Sequence, residues 1–314
     1  MAFKKLILNF TISLFFLSLF LIGYSNKAKP NDATIHFDSG QAKSKLKDFI
    51  GAIGDYTKAI ELDSKWASAY FYRGLAKNEL NDFNGAIQDY SRVIELDPKQ
   101  ASAYFYRGLA ASELKDFGEA LRDYTKAIEL DSNRSISYYY RGLAKVNLKD
   151  YLGGIDDFTK AIELDPKSIN AYGSRGIAKE VIKDHLGAID DFTKAIELDP
   201  KGMEAYIKRG DAKGESENFI GAIQDYTKAI ELDPKGVKTY ISRAHKKVKI
   251  KDWLGAIDDL TKAIELEPEN ASTYTMRGIA KIAVGDKNGG CLDFVKADEL
   301  GDVKAYKYLK KYCN

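Results

Sequence analysis

The chain has 314 residues, of which 45% are hydrophobic and 30% are charged, and its formal net charge is only +2. This apolar fraction is typical of a folded protein and argues against a disordered chain. Because acidic and basic residues nearly balance, the chain lacks the basic excess that marks a nucleic-acid-binding protein. We therefore predict no nucleic-acid partner.

The first 25 residues differ in composition from the rest. Lys4 and Lys5 precede an apolar run over residues 6–23, and small residues follow at the two positions that a signal peptidase requires. We interpret residues 1–25 as a secretory signal cleaved after Ser25. The alternative is an uncleaved membrane anchor, since the run approaches the length that spans a bilayer. Either interpretation predicts an exported protein of the periplasm, a lumen or the extracellular space, because the lysines stay in the cytoplasm.

One nine-residue sequence motif recurs through the rest of the chain. Tyr90–Pro98 returns as Tyr226–Pro234, 136 residues or four times 34 later. Self-similarity at this period is typical of stacked repeats. After a linker over residues 26–32, eight windows follow: 33–66, 67–100, 101–134, 135–168, 169–202, 203–236, 237–270 and 271–304. Only residues 305–314 remain, so no segment is left for a catalytic domain of ~100 residues.

Each window predicts two helices, with Asp82 placed to cap the second helix of its window and a proline placed to end it. The positions that carry the pattern are Tyr70, Gly74, Phe83, Ala86, Tyr90 and Pro98. This arrangement resembles the tetratricopeptide repeat, and the resemblance covers residues 33–304. It implies an all-α, right-handed superhelical solenoid of helix-turn-helix repeats. The resemblance also implies that the first helices line a concave groove that binds a peptide, without catalysis.

The chain departs from the family pattern at two first-helix positions, which carry arginine and, one turn later, mostly lysine. The second helices carry matching aspartates. The arginines are Arg73, Arg107, Arg141, Arg175, Arg209, Arg243 and Arg277, and the aspartates are Asp55, Asp89, Asp123, Asp157, Asp191, Asp225 and Asp259. We interpret these residues as structural ion pairs between neighbouring helices. The alternative is that the arginines bind an anionic ligand.

Aromatic and aliphatic residues recur on another face of the first helices in the second to fourth windows. They are Phe71, Tyr72, Leu75, Phe105, Tyr106, Leu109, Tyr139, Tyr140 and Leu143. Contiguous apolar surface often marks a binding site, so we predict a peptide-binding groove there. The alternative is that some of these side chains pack between adjacent repeats.

The same face becomes polar in the later windows, where Lys208, Asp211, Lys238, His245 and Lys249 lie on it. We expect this part to bind a polar or acidic segment of the same partner. In the sixth window Gly214 and Ser216 replace better helix formers, which predicts either a hinge or a locally relaxed helix.

The remaining residues offer little other chemistry. The three histidines fall at unrelated repeat positions, so neither a metal site nor a cofactor is predicted. Residues 305–314 resemble the start of a ninth first helix and would cap the last repeat. Cys291 and Cys313 would then lie opposite each other, either as a disulfide that holds this cap or as two free thiols.

We therefore expect a non-catalytic protein-interaction scaffold or assembly factor of the cell envelope, whose partner is a protein or peptide. The alternative is a membrane-anchored structural subunit held by residues 6–23.

Overall fold

The computed structural model describes residues 31–313, so the predicted signal or anchor segment lies outside the described residues. The described part is all-α, with seventeen helices and no strand, which confirms the predicted fold class. The chain divides into two compact units between Pro98 and Lys99. The two units are described separately below.

The first unit contains two helical hairpins, in which each helix packs against the next one along the chain. Its helices are α1 (Asp32–Lys45), α2 (Phe49–Leu62), α3 (Ala67–Glu79) and α4 (Phe83–Leu96).

The second unit contains six hairpins and a short final helix, again with each helix packed on its successor. Its helices are α5 (Ala101–Glu113), α6 (Phe117–Leu130), α7 (Ser135–Asn147), α8 (Tyr151–Leu164), α9 (Ile169–Val181), α10 (His185–Leu198), α11 (Met203–Glu215), α12 (Phe219–Leu232), α13 (Val237–Lys249), α14 (Trp253–Leu266), α15 (Ala271–Ala283), α16 (Lys287–Glu299) and α17 (Ala305–Tyr312).

The turn inside each hairpin is fixed by two local features. The side chain of Asp82 accepts a hydrogen bond from the amide of Gly85 at 3.0 Å, and so caps the first turn of α4. The residue before it, Asn81, has a φ of 62°, in the left-handed region that reverses the chain direction. The helix then ends at Leu96, directly before Asp97 and Pro98. The predicted cap and stop are thus both confirmed in this repeat.

The core of a hairpin depends on close approach between a first-helix glycine and a second-helix ring. A Cβ atom placed on Gly176 would lie 2.8 Å from Cε1 of Phe192, a ring that is fully buried. The seventh repeat exchanges both partners, because Ala244 and Leu260 occupy the two positions and pack in one cluster. The extra methyl group and the smaller side chain compensate each other.

First helices lie along the inner side of the second unit. The successive first helices α5 and α7, α7 and α9, and α9 and α11 approach each other closely. Among the described residues, no two successive second helices come as close. The side chains of these first helices are therefore brought together along one face. We call this face, together with the equivalent repeat positions of α13, the inner face of the second unit.

Candidate functional site

The first-helix arginines are held inside the protein by buried aspartates. In the fifth repeat Arg175 donates from Nε and Nη2 to Asp191 at 3.0 and 2.6 Å, and from Nη1 to Thr159 of the preceding second helix at 2.9 Å. Lys179 lies 2.8 Å from the same carboxylate and donates to the carbonyl of Gly187 at 3.2 Å. These cations are satisfied by internal partners.

The arginine–aspartate pair recurs in every repeat from the second to the eighth. The other pairs are Arg73–Asp89, Arg107–Asp123, Arg141–Asp157, Arg209–Asp225, Arg243–Asp259 and Arg277–Asp293. The structural interpretation is therefore confirmed for the six predicted aspartates from Asp89 to Asp259, while Arg277 pairs with Asp293. Asp55 has no arginine partner in the described part of the chain and lies 2.7 Å from Lys43 instead. A guanidinium group whose hydrogen bonds are used internally is not free to bind an anionic ligand.

The third repeat lacks the lysine of this network because Ala111 stands at its position. Asp123 is buried and accepts two hydrogen bonds from Arg107, at 2.8 and 2.7 Å. Burial raises the pKa of this carboxyl group, and Arg107 offsets the rise only in part. Within the residues that the structure describes, Asp123 is therefore the one aspartate of the seven arginine pairs that lacks a lysine partner.

Three of the aromatic residues predicted to line the groove belong to the core instead. Phe71, Phe105 and Tyr106 expose only 3, 4 and 6% of their surface. The ring of Phe105 packs on Tyr124 and Tyr140, with centroids 5.8 and 5.7 Å away. The prediction that these three side chains contact a ligand is wrong, because helix-to-helix packing covers them.

Tyr72, Tyr139 and Tyr140 are half-buried. Tyr139 contacts the rings of Tyr140 and Phe158 at centroid distances of 5.3 and 5.9 Å, and burial raises the pKa of Tyr140 to about 12. Tyr72 packs in the same way on Phe37, at 5.5 Å. These rings mainly pack between helices, as the alternative interpretation predicted.

Aliphatic residues are more accessible one turn later. Leu75, Leu109 and Leu143 are half-buried, and the residue one repeat after Leu143 is Ile177, which is exposed. Val181 is also exposed, and it follows Ile177 by four residues on the same face of α9. The accessible apolar part of the inner face is thus centred on α9, further along the chain than the sequence pattern suggested.

The inner face becomes basic on α13. Lys238, His245 and Lys249 are exposed there, and Lys208 on α11 is half-buried. Among the described residues, no carboxylate lies within ion-pair distance of these three lysines. Desolvation by burial, Lys246 and Lys249 lower the pKa of His245.

Asp211 serves the interior of its own hairpin. Its carboxylate accepts a hydrogen bond from the phenol of Tyr226 at 2.8 Å. Burial, together with contact with this carboxylate, raises the pKa of Tyr226. One oxygen of the Asp211 carboxylate is therefore already used inside the protein and is not available to a partner.

Comparison with known families identifies the repeat. Sequence models described as TPR repeat and tetratricopeptide repeat match residues 74–114, 101–134, 136–168 and 204–235. The last three of these segments correspond to the hairpins α5–α6, α7–α8 and α11–α12. The chain is a tetratricopeptide-repeat protein. None of the curated proteins matches it.

Several solved structures resemble this tetratricopeptide-repeat protein. MamA is 26% identical, with a TM-score of 0.52 over 55% of this chain and 94% of its own. YrrB, described as a TPR protein with an unusual peptide-binding site, is 24% identical, with a TM-score of 0.53 over 59% of this chain and 95% of its own. The C-terminal part of a TPR protein from Cytophaga hutchinsonii is 19% identical, with a TM-score of 0.68 over 76% of this chain and 98% of its own. The last two show the fold alone.

Tetratricopeptide-repeat proteins are generally non-catalytic interaction scaffolds, and none of the matching families is an enzyme family. Over residues 31–313, no three side chains of the metal-ligating types come together as a metal site would require. In the same residues, no helix combines the length and the apolar character needed to cross a bilayer.

The two cysteines of this tetratricopeptide-repeat protein are joined. Cys291 on α16 and Cys313 directly after α17 form a disulfide, with 5.7 Å between their Cα atoms. Tyr308 of α17 stacks on Phe294 of α16 at 5.2 Å, and Asp302 accepts a hydrogen bond from Thr275 at 2.6 Å. The final helix is thus fixed to the eighth repeat by a covalent bond, a ring contact and a hydrogen bond.

Sequence reasoning missed one exposed apolar feature of the second unit. The second residue of each second helix in the fourth to seventh repeats is a leucine or isoleucine that exposes 63–72% of its surface. These residues are Leu152, Leu186, Ile220 and Leu254. The equivalent residue of the eighth repeat is Asn288. The 34-residue spacing of these aliphatic residues was visible in the sequence, but their exposure was not.

Proposed function

We propose that this protein is a non-catalytic scaffold that binds a peptide segment of a partner protein on the inner face of its second unit. The observation that carries the proposal is the change in chemistry along this face. Exposed aliphatic residues, Ile177 and Val181, lie on α9, and unpaired cations, Lys238 and Lys249, lie on α13. A segment with an apolar part followed by an acidic part would complement both.

The interior of the protein supports the same assignment. The recurring arginine network uses its charge internally, as Arg175 does with Asp191, so the charge left for a partner comes from the exposed lysines. The aromatic rings near Phe105 are likewise used in packing. The apolar anchor for a partner is therefore expected at Ile177, because aliphatic side chains there remain accessible.

Site-specific photo-crosslinking in the native host tests this proposal. A crosslinking residue at Ile177 should give a discrete adduct with the partner. The matched control is Lys126 on the outer surface of α6, where the lysine is paired with Glu129 at 2.9 Å. An adduct at Ile177 alone supports the inner face. Equal adducts at both positions, or an adduct at Lys126 alone, contradict it.

Charge reversal provides a second test on the purified complex. Lys238→Glu and Lys249→Glu should each weaken binding of the partner, and the loss should be larger at low salt, because exposed charges are screened by added ions. Lys126→Glu should have little effect. Equal loss from all three substitutions would indicate a nonspecific charge effect and would contradict the inner-face site.

We also propose that the protein acts outside the cytoplasm, as an assembly factor of the cell envelope. Lys4 and Lys5 before the apolar run support export, and so does the pairing of Cys291 with Cys313, because disulfides persist mainly in oxidising compartments. Cell fractionation, with the mass of the mature chain, tests this proposal. A cytoplasmic full-length chain with two free thiols would contradict it, and an uncleaved chain in the membrane fraction would favour the anchored subunit.

One second candidate is favoured by the row of exposed aliphatic residues Leu152, Leu186, Ile220 and Leu254. It is a structural subunit that makes fixed contacts through the turns of its hairpins. Leu186 and Leu254 belong to this row. Replacing both with asparagine copies the residue that the chain itself uses at Asn84 and Asn288. If the double variant leaves the complex while Ile177 variants remain in it, the structural-subunit candidate replaces the peptide-binding scaffold.

A further inference from the structure

The seventh repeat carries a lysine at a position where the other full repeats described have alanine. Lys246 occupies the tenth position of its first helix. The residues at this position in the second to sixth and the eighth repeats are Ala76, Ala110, Ala144, Ala178, Ala212 and Ala280, and all of them are buried. The first repeat has Ala42 there, which is exposed. A long cationic side chain therefore enters a place where the fold normally accepts only a methyl group.

The preceding repeat provides the space for this side chain. Gly214 lies on α11, inside a continuous helix, and a Cβ atom added to it would overlap Cε of Lys246 and lie 2.6 Å from its Nζ. Neither of the two alternatives predicted for Gly214, a hinge or a relaxed helix, describes it. The glycine serves packing, because its missing side chain holds the stem of Lys246.

The ammonium group of Lys246 is poorly satisfied for its degree of burial. Its side chain and that of the next residue, Lys247, are each 16% exposed. Lys247 lies 2.9 Å from Asp259 and donates to the carbonyl of Gly255 at 3.1 Å. For Lys246, in contrast, the ion-paired carboxylate is Glu215 at 3.7 Å, beyond hydrogen-bond distance. A partly buried cation without a close acceptor is costly unless a ligand supplies one.

The surroundings of Lys246 carry net positive charge. His245 lies within electrostatic reach of Lys246 and of Lys249, because both lysines lower its pKa. Glu215 is the one acidic neighbour in this group, and it exposes 63% of its side chain. Two lysines and one carboxylate leave a single positive charge, which matches one carboxylate of a ligand.

We propose that Lys246, with Lys249 beside it, binds a carboxylate side chain of an acidic peptide segment. The proposal rests on the proposed function, because it assigns one subsite of the inner face. The occupant is a peptide carboxylate and not a nucleic acid, because the site holds one excess charge and the whole chain has a net charge of only +2. A nucleic-acid backbone requires an extended basic surface.

The test uses the protein purified from its host, in the form that the host produces. The assay is a fluorescence anisotropy titration with a fluorescein-labelled hexaglutamate peptide as the probe. Lys246→Ala should weaken binding at least about tenfold, because a charge-assisted hydrogen bond is lost. This variant restores the alanine that Ala212 and its equivalents provide, so it should fold. Lys246→Arg should retain most of the affinity, and Lys167→Ala, an exposed lysine outside the inner face, should change it less than twofold.

Gly214→Ala separates the subsite from a general charge effect. It displaces the side chain of Lys246 without removing its charge, so it should weaken binding in the wild-type background. In the Lys246→Ala background the same change should have no effect on binding. Circular dichroism of all four proteins must show that each is folded, because two residues in contact also couple in stability.

Each other result overturns the proposal in a defined way. Equal affinity of Lys246→Ala and wild type, with weakened binding by Lys238→Ala, removes the subsite and leaves the peptide-binding scaffold. No effect from any of these inner-face variants removes both. Tighter binding of a 12-nucleotide single-stranded DNA than of hexaglutamate, lost in Lys246→Ala, replaces the carboxylate by a phosphate ligand. No binding of hexaglutamate by wild type removes the subsite, and crosslinking at Ile177 then decides on the scaffold separately.

Discussion

The contact between Gly176 and Phe192 provides a quantitative test of how a hairpin is packed. In Gly176→Ala the new methyl group would lie 2.8 Å from Cε1 and 2.9 Å from Cζ of the ring. The ring is 1% exposed, so it has no free space into which to move. Overpacking of this kind costs about 1–3 kcal/mol, and the better helix propensity of alanine returns about 1 kcal/mol. We expect a net loss of about 1 kcal/mol in the free energy of unfolding.

Phe192→Leu removes the part of the ring that the methyl group meets. Alone it should cost about 1–2 kcal/mol, a fraction of the 3–5 kcal/mol for a full truncation of phenylalanine. Combined with Gly176→Ala, it recreates the pair that Ala244 and Leu260 form in the seventh repeat. The double variant should therefore be about 1–2 kcal/mol more stable than the sum of the single effects predicts.

Urea unfolding followed by circular dichroism, with hydrogen exchange on α9 and α10, measures these differences. Gly173→Ala is the matched control, because it lies on the same helix and an added Cβ would meet nothing within 4 Å. It should stabilise the protein by about 1 kcal/mol. Additive single effects, within about 0.5 kcal/mol, would refute the idea that Gly176 and Phe192 are coupled by contact. A loss of stability in Gly173→Ala would refute the separation of propensity from packing.

Three further predictions concern charge and the C-terminal cap. Ala111→Lys supplies the missing lysine of the third repeat, so it should lower the pKa of Asp123 in an NMR titration and raise stability at pH 7 by about 1 kcal/mol. Reduction of the bond between Cys291 and Cys313 removes a constraint between two residues that are 22 positions apart. It should destabilise the cap by about 3 kcal/mol and increase hydrogen exchange of the α17 amides first. Affinity for hexaglutamate should rise as the pH falls below 6.5 through the lowered pKa of His245, and this rise should be absent in His245→Gln.

The pH dependence of the first of these has a definite sign. Asp123 has a raised pKa in the fold, so its contribution to stability is present at acid pH and is lost as the pH rises through the folded pKa. In Ala111→Lys the pKa falls, so the stabilisation should appear at neutral pH and vanish in acid. An unchanged pKa of Asp123 in Ala111→Lys would contradict the idea that the lysine of the network stabilises the charged carboxylate. Unchanged exchange of α17 after reduction, or a pH response that persists in His245→Gln, contradicts the other two.

Much of the fold could be predicted because its determinants are local. The aspartate cap at Asp82 and the stop at Pro98 each act within one turn of a helix, and they recur with the repeat. The arginine–aspartate pairs could be predicted as well, because the residue types of Arg141 and Asp157 return at the same period from the second repeat to the eighth. Two opposite charges that recur at a fixed spacing indicate that the two side chains are in contact, and this inference does not require the curvature of the solenoid.

The candidate site could be predicted only in part. Phe105 and Tyr106 have the spacing of a surface stripe, yet they are buried where one first helix approaches the next. Ile177, which aligns with Leu109, is exposed, and α9 carries Gly173 and Ser174 where α5 carries Phe105 and Tyr106. Helical periodicity identifies which residues share a face, but the size of neighbouring side chains decides how much of that face remains open.

The sequence by itself determined the period, the two helices of each repeat and the pairing of charges, because these follow from hydrogen bonds and spacings within one repeat. Tertiary structure alone decided which residues of the inner face reach solvent and that Lys246 passes over Gly214, 32 residues before it. The physical reason is that contacts between repeats depend on the distance and angle between helices. Those quantities are set by the side chains of both repeats together, and no single window contains them.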